Sequence, residues 1–412
     1  MKKVIGMLAV LAFGSSMASA ELLKNLKYDG SLEVNSVTGQ KSLTPGKSDF
    51  SNINSRLMLG LNFDLNEDLN AQVTAVKSDY RYYGTNSQTV NDLENNITFA
   101  EAYVNMKNVL WINHKVGRQF YGKAGDIVIY YGPSYQNTGA IANYTVSSLD
   151  GWYGEWNKDK WMVTGLAGKV SENSLISPLD KNLYGVTGSY AFSEIVKPAV
   201  YIYQSDDRSL GKHDTLDVIG VKAEGKYEGV GYKAEYAMDA GKNKNTMVKY
   251  TGSALKVNAD YGLDLKAAGK FNFMGEFAMG SGDKASATKN EGFTAISGNY
   301  LPGMIYGAYG VGATNGLNNL TTFNVGANYT PKQVEKLTVC AKFFNFAYTE
   351  KTATTATPAG ATAIGNELDL GATWKHSENV SIKASYAMFS PNKKFMDHSA
   401  ETLMGLNLNL KF

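Results

Sequence analysis

Residues 404–412 read MGLNLNLKF. Met404, Leu406, Leu408, Leu410 and Phe412 alternate with Gly405, Asn407, Asn409 and Lys411, so an extended chain here has one apolar face and one polar face. Two settings accept such a strand. In a water-soluble antiparallel sheet the apolar face packs on a core. In a membrane barrel the apolar face meets lipid and the polar face lines a lumen. Alternation alone does not separate the two.

The pattern recurs upstream. Leu57, Leu59, Leu61 and Phe63 alternate with Arg56, Met58, Gly60 and Asn62. Tyr232, Ala234, Tyr236 and Met238 alternate with Lys233, Glu235 and Asp239, and Leu368, Leu370, Ala372 and Trp374 with Glu367, Asp369, Gly371 and Thr373. The connections separate the two settings. Short polar links at 66–68, 107–108, 158–159, 228–229 and 377–379 alternate with long ones at 38–50, 83–92, 119–145, 171–181, 281–318, 350–364 and 391–399. Short turns at one end and long loops at the other are what an outer-membrane barrel requires; a sandwich or propeller has no reason for them.

The spacing predicts an all-β chain, a transmembrane antiparallel up-and-down β-barrel of 18 strands running from 27–37 to 400–412. The span 245–264 is long for one strand and 293–314 has room for a hairpin, so 16 or 20 strands stay open. The low-complexity stretch TATTATPAGATA at 352–363 reads as an outer loop.

The chain opens MKKVIGMLAVLAFGSSMASA. Lys2 and Lys3, a short apolar run and Ala18-Ser19-Ala20 form a signal peptide cut after Ala20, which leaves residues 21–412 as a single barrel domain. Losing Lys2 and Lys3 brings Lys+Arg level with the 38 Asp+Glu, so no basic excess points to nucleic acid. One cysteine, Cys340, allows no internal disulfide, and with 4 histidines no Cys/His metal cluster or cofactor is expected. Beyond the leader no apolar run is long enough for a membrane helix. The terminal Phe412 has the form of the signal read by the barrel-assembly machinery. The expected surroundings are outer-membrane lipids and lipopolysaccharide.

Residues 98–119 read TFAEAYVNMKNVLWINHKVGRQ. E-A-Y, a turn and V-G-R-Q in that order resemble the alginate-export family of outer-membrane channels. MGSGD at 279–283, GNELDLGATWKH at 365–376 and YAMFSP at 386–391 follow in the family's order. The resemblance implies an 18-stranded barrel. Its type members export an anionic polysaccharide through a basic lumen, and many similar sequences are porins.

A channel selects by width and by the groups along its wall. Alternation turns Arg56, Lys115, Lys222, Lys226, Lys233, Lys342, Lys375 and Lys383 inward, against Glu101, Glu155, Glu224, Glu235, Asp239, Glu367 and Asp369. That balance counts against a polyanion path. Strict alternation turns Arg118 outward, yet the V-G-R-Q resemblance favours a structural or lumen role for it. The loop 119–145 carries Tyr121, Tyr130, Tyr131 and Tyr135, a candidate constriction or saccharide platform, or else interfacial tyrosines of an outer loop. Trp111, Trp152, Trp156, Trp161 and Trp374 read as girdle residues. No G-x-S-x-G or H-E-x-x-H is present, His213-Asp214 reads as a loop pair, and no catalytic site is expected. The expected function is passive diffusion of small hydrophilic solutes and ions. A channel for an acidic saccharide, or a surface adhesin, are the alternatives.

Overall fold

A computed structural model describes residues 24–40, 49–79, 97–137, 142–172, 180–209, 211–308, 316–351, 362–395 and 400–412. The expected signal peptide and most of 352–363 lie outside the described residues. Among the described residues no helix is long and apolar enough to cross a membrane.

Period-2 patterning yields eighteen long strands. They are β1 (Lys24–Gln40), β2 (Phe50–Asp64), β3 (Leu69–Asp79), β4 (Ile97–Val109), β5 (Ile112–Gln119) and β6 (Leu149–Lys158). Next come β7 (Trp161–Ser171), β8 (Lys181–Tyr190), β9 (Lys197–Asp207), β10 (Asp214–Tyr227), β11 (Val230–Asn243) and β12 (Ser253–Leu265). The last are β13 (Gly269–Gly280), β14 (Thr321–Pro331), β15 (Leu337–Ala347), β16 (Ala363–Lys375), β17 (Val380–Pro391) and β18 (Glu401–Lys411). Each pairs antiparallel with the next. The terminal strand, β18, pairs with β1 from Ser31↔Lys411 to Gln40↔Thr402 and closes the sheet. Closure leaves no free edge, so every strand can satisfy its backbone in hydrocarbon.

The outer face is apolar. Val200, Ile202, Ile219, Val221, Phe323, Val325, Met404 and Leu406 all point away from the barrel and are exposed. Residues alternating with them, such as Tyr201, Val218, Thr322 and Leu403, are buried in the interior. Trp161 and Trp374 are exposed on this outer side, and Trp111 is exposed in the turn after β4. Trp152 instead lies along the outer wall, where a Cβ on Gly154 would come within 2.3 Å of its ring, and it donates to His114 Nδ1 at 2.9 Å.

Three expectations change in detail. The link read at 107–108 lies at Leu110-Trp111, which join β4 to β5 with φ of 52° and 64°. Such turns favour Asn and Gly, so Leu-Trp gives no turn signal. The long span 245–264 splits: Lys249–Tyr250 forms a short strand parallel to Lys289–Asn290, and Ser253 begins β12. The described part of 293–314 contains no wall hairpin. It holds one π-helical turn, Gly303–Gly307, packed inside the barrel.

Candidate functional site

Two long connections fold into the lumen. The first follows β5. Its segment 120–137 and 142–148 touches inward side chains on both sides of the barrel. Arg56 on β2 donates to Ser134 O at 3.2 Å and to Thr145 O at 3.4 Å. Asn35 on β1 donates to the Tyr135 hydroxyl. Tyr121 meets the Tyr203 hydroxyl on β9 at 2.9 Å, and Lys256 on β12 donates to Gly125 O at 2.9 Å. A segment held by β1, β2, β9 and β12 must cross the interior.

The second connection, described over 281–308 and 316–320, is held by carboxylates on β11, β13 and β16. Asp239 on β11 accepts from Thr294 N at 2.6 Å. Glu276 on β13 accepts from the Tyr300 hydroxyl at 2.7 Å. On β16, Glu367 accepts from Ile305 N at 2.7 Å and Tyr306 N at 2.8 Å, and Asp369 from Met304 N at 3.1 Å. The π-helical turn therefore presents three successive N–H groups to two carboxylates. The Tyr306 ring stacks on Phe346 with centroids 4.1 Å apart.

The two connections join in mid-lumen. Tyr130 N donates to Ser297 O at 2.7 Å, Ser297 N to Val128 O at 3.0 Å and Asn299 N to Asp126 O at 2.8 Å. Asn299 Nδ2 adds a bond to Ser134 Oγ at 2.9 Å. Ile127, Val128, Ile129, Tyr131, Phe293 and Ile296 pack as the core of this septum. Backbone pairing makes it a defined partition across the lumen rather than a loose tangle.

The septum reassigns several residues read from the sequence. Tyr121, Tyr130, Tyr131 and Tyr135 belong to it, and Tyr131 is buried. Arg56, Glu367 and Asp369 face the lumen, but their polar atoms hold loops, so they are anchors before they are selectivity groups. Arg118 is corrected outright. It alternates with Lys115 and the buried Gln119, points outward and makes a two-pronged ion pair with Asp150 at 2.9 and 2.7 Å. Simple parity places it there.

Among the described residues four lumen cations meet carboxylates. Lys222 meets Glu235 at 3.2 Å, Lys233 meets Glu224 at 3.7 Å, and Arg56 meets Glu33. Lys256 meets Glu276 at 3.6 Å, a pair absent from the inward residues read from the sequence, where 245–264 was too long for one ordinary strand. Lys115 stands over the Tyr103 ring at 4.5 Å, and Glu101 accepts from Thr74 at 2.9 Å. Lys342 lies opposite Asp369 in register, and Lys383 lies one strand further, on β17.

Toward the end that carries the short turns, β2–β4 present a ladder of amides. Asn62 donates to Asn70 and to Gln72, each at 3.0 Å, and Asn105 to Asn70 at 3.3 Å. A cavity of about 470 Å³ opens against this wall, lined by Lys27, Asn62, Asn70, Asn105, Lys115 and Glu155 among others.

A closed barrel with an apolar outer face, a polar lumen and loops folded inward defines an outer-membrane β-barrel. The model of the alginate export family matches residues 38–402, so the chain belongs to that family. No curated protein matches it in sequence. Among solved structures it is similar to the outer membrane protein OprD of Pseudomonas aeruginosa, with a TM-score of 0.63 at 10% identity, covering 96% of this chain and 95% of that one. OccK9 (OpdG) of Pseudomonas aeruginosa gives 0.62 at 11% identity, covering 95% of this chain and 99% of that one. OccAB4 of Acinetobacter baumannii gives 0.58 at 10% identity, covering 96% and 100%. At these identities the likeness is one of fold.

Proposed function

We propose that this chain is a passive channel for small hydrophilic solutes, with weak ion selectivity. The observation that carries the reading is the charge pairing along the lumen. Lys222, Lys233, Lys256 and Arg56 each have a carboxylate partner. Paired charges cancel at a distance, whereas a polyanion path needs an unpaired basic field focused by low-dielectric walls. The septum sets the width, and the amide ladder offers exchangeable hydrogen bonds to solutes that shed water there.

Lys115, Lys342, Lys383 and Glu101 are the groups proposed to bias which ions pass, because they line the wall without anchoring a loop. Glu224 and Glu235 bias it less, since each is tied to a lysine.

A second reading, a channel for acidic saccharides, has one observation in its favour. The amide-lined cavity carries three lysines, Lys27, Lys107 and Lys115, against two carboxylates, Asp64 and Glu155.

Single-channel recording on the refolded protein in planar bilayers separates the two. Steady openings, a reversal potential near zero in a salt gradient and no block by an oligouronate support the first reading. Strong anion selectivity with concentration-dependent block supports the second. A folded barrel without openings refutes both.

A further inference from the structure

The outward ion pair of Arg118 belongs to a longer feature. Arg118, Asp150, Lys169, Asn182, Asp206 and Thr215 stand directly opposite one another in register across β5 to β10. Parity turns all six outward, since Leu149, Leu166, Leu183, Ser205 and Leu216 beside them are buried in the interior. Adjacent strands lie about 4.8 Å apart, so the row runs roughly 24 Å around the outer wall, at the end bearing the long loops.

Ionic groups extend the row. Lys169 meets Asp180 at 2.9 Å and Glu172 at 3.5 Å, Arg208 meets Asp206 at 3.0 Å, and Gln204 donates to Asp217 at 2.7 Å. Asp206 Oδ1 and Thr215 Oγ1 are shielded yet have no hydrogen-bond partner among the described residues. The equivalent outward positions on β13, β14, β16 and β18 carry Met279, Thr321, Asn366 and Thr402. The row itself continues from Thr215 to Lys242 on β11, and Lys77 is outward near the same end of β3.

A charge on the lipid face costs about 2–4 kcal/mol at mid-bilayer and about 0–1 kcal/mol near the interface. The row must therefore lie at head-group depth in the outer leaflet. Cations and carboxylates alternate along it. A uniformly basic rim would suit any anionic lipid. An alternating rim suits a head group whose own charges alternate, as phosphates do with the divalent ions that bridge them.

We propose that this sector docks a glycolipid bearing two or more phosphates. Arg118, Lys169 and Arg208 meet the phosphates. Asp150, Asp180 and Asp206 meet the accompanying divalent ions. The site is independent of the lumen, so it stands or falls apart from the channel reading.

The test uses the full mature protein in detergent with magnesium, titrated with bisphosphorylated lipid A and followed by native mass spectrometry. Wild type is expected to retain the lipid through detergent exchange, and to lose it with EDTA or with a dephosphorylated lipid. The variant R118Q/K169Q/R208Q is expected to bind at least about tenfold more weakly, the loss of roughly one charge-assisted contact, with unchanged conductance. R118Q alone serves if the triple variant does not fold. Equal retention by wild type and variant overturns the proposal. So does retention indifferent to phosphate, or an oligomer lost in the variant, which would make the sector a contact between copies.

Discussion

Glu367 offers the sharpest test of the septum. Its side chain is buried and accepts from Ile305 and Tyr306 at 2.7 and 2.8 Å. Replacement by alanine leaves two buried N–H donors without an acceptor. Each costs about 1–3 kcal/mol, the lower figure applying where lumen water can replace the carboxylate. The inserted state of the described segment 281–308 then loses roughly 2–6 kcal/mol relative to the withdrawn state. Even the lower bound shifts that equilibrium about thirtyfold. Asp369, Asp239 and Glu276 still hold the connection, so the expected result is frequent opening rather than complete release. E367A should show larger and noisier single-channel currents, and faster proteolysis within 281–320. E367Q, which keeps one acceptor, should fall between it and wild type. The wall pairing of β16 does not use this side chain, so heat-modifiable migration of the barrel should persist. Wild-type conductance and wild-type protease resistance in a folded E367A barrel would refute the clamp.

Other perturbations probe other parts. Arg56→Met removes the cation from Glu33 and the donor to Ser134 and Thr145; breaking so buried a pair costs about 3–5 kcal/mol, to be read as a lowered denaturation midpoint together with raised conductance. Lys222→Gln leaves Glu235 uncompensated in the lumen, so the reversal potential should move toward cation preference, and an unmoved potential would remove this pair from the permeation path. Gly117→Ala sets a Cβ about 2.3 Å from Ala102 O at a φ of 128°, which predicts poor refolding yield with normal conductance in the barrels that do form. In a C340S background, cysteines at Ile129 and Ser297, which pair as a bridge between the two inserted connections, should form a disulfide and quieten the current; failure to cross-link would contradict the septum's register.

The barrel was legible because its signal is physical and repeated. Lipid on one side and water on the other impose a period of two on every strand, and Met404 to Phe412 display it without interruption. Parity also gave the orientation of Lys222, Lys233, Glu235, Glu367 and Lys383. It gave that of Arg118 as well, where a family motif pulled the reading toward the lumen. The septum was far less legible. An inserted connection has no periodicity, because its neighbours are loop backbone and wall side chains rather than lipid and water. The carboxylates of Asp239, Glu367 and Asp369 look in sequence like lumen charge, and Glu276 gives no signal of its own. Only their distances to Thr294, Tyr300, Ile305 and Met304 show them as anchors. The Leu110-Trp111 turn escaped for another reason: both residues adopt positive φ, and neither belongs to the types that favour it.

The most direct test of the central claim is osmotic swelling of liposomes that carry the refolded protein. Small neutral sugars, zwitterionic amino acids and uronates of similar size would be compared. A path with paired charges, narrowed by the septum, predicts swelling that falls with solute size and differs little with charge. Swelling confined to the uronates, or none with any solute, would contradict it.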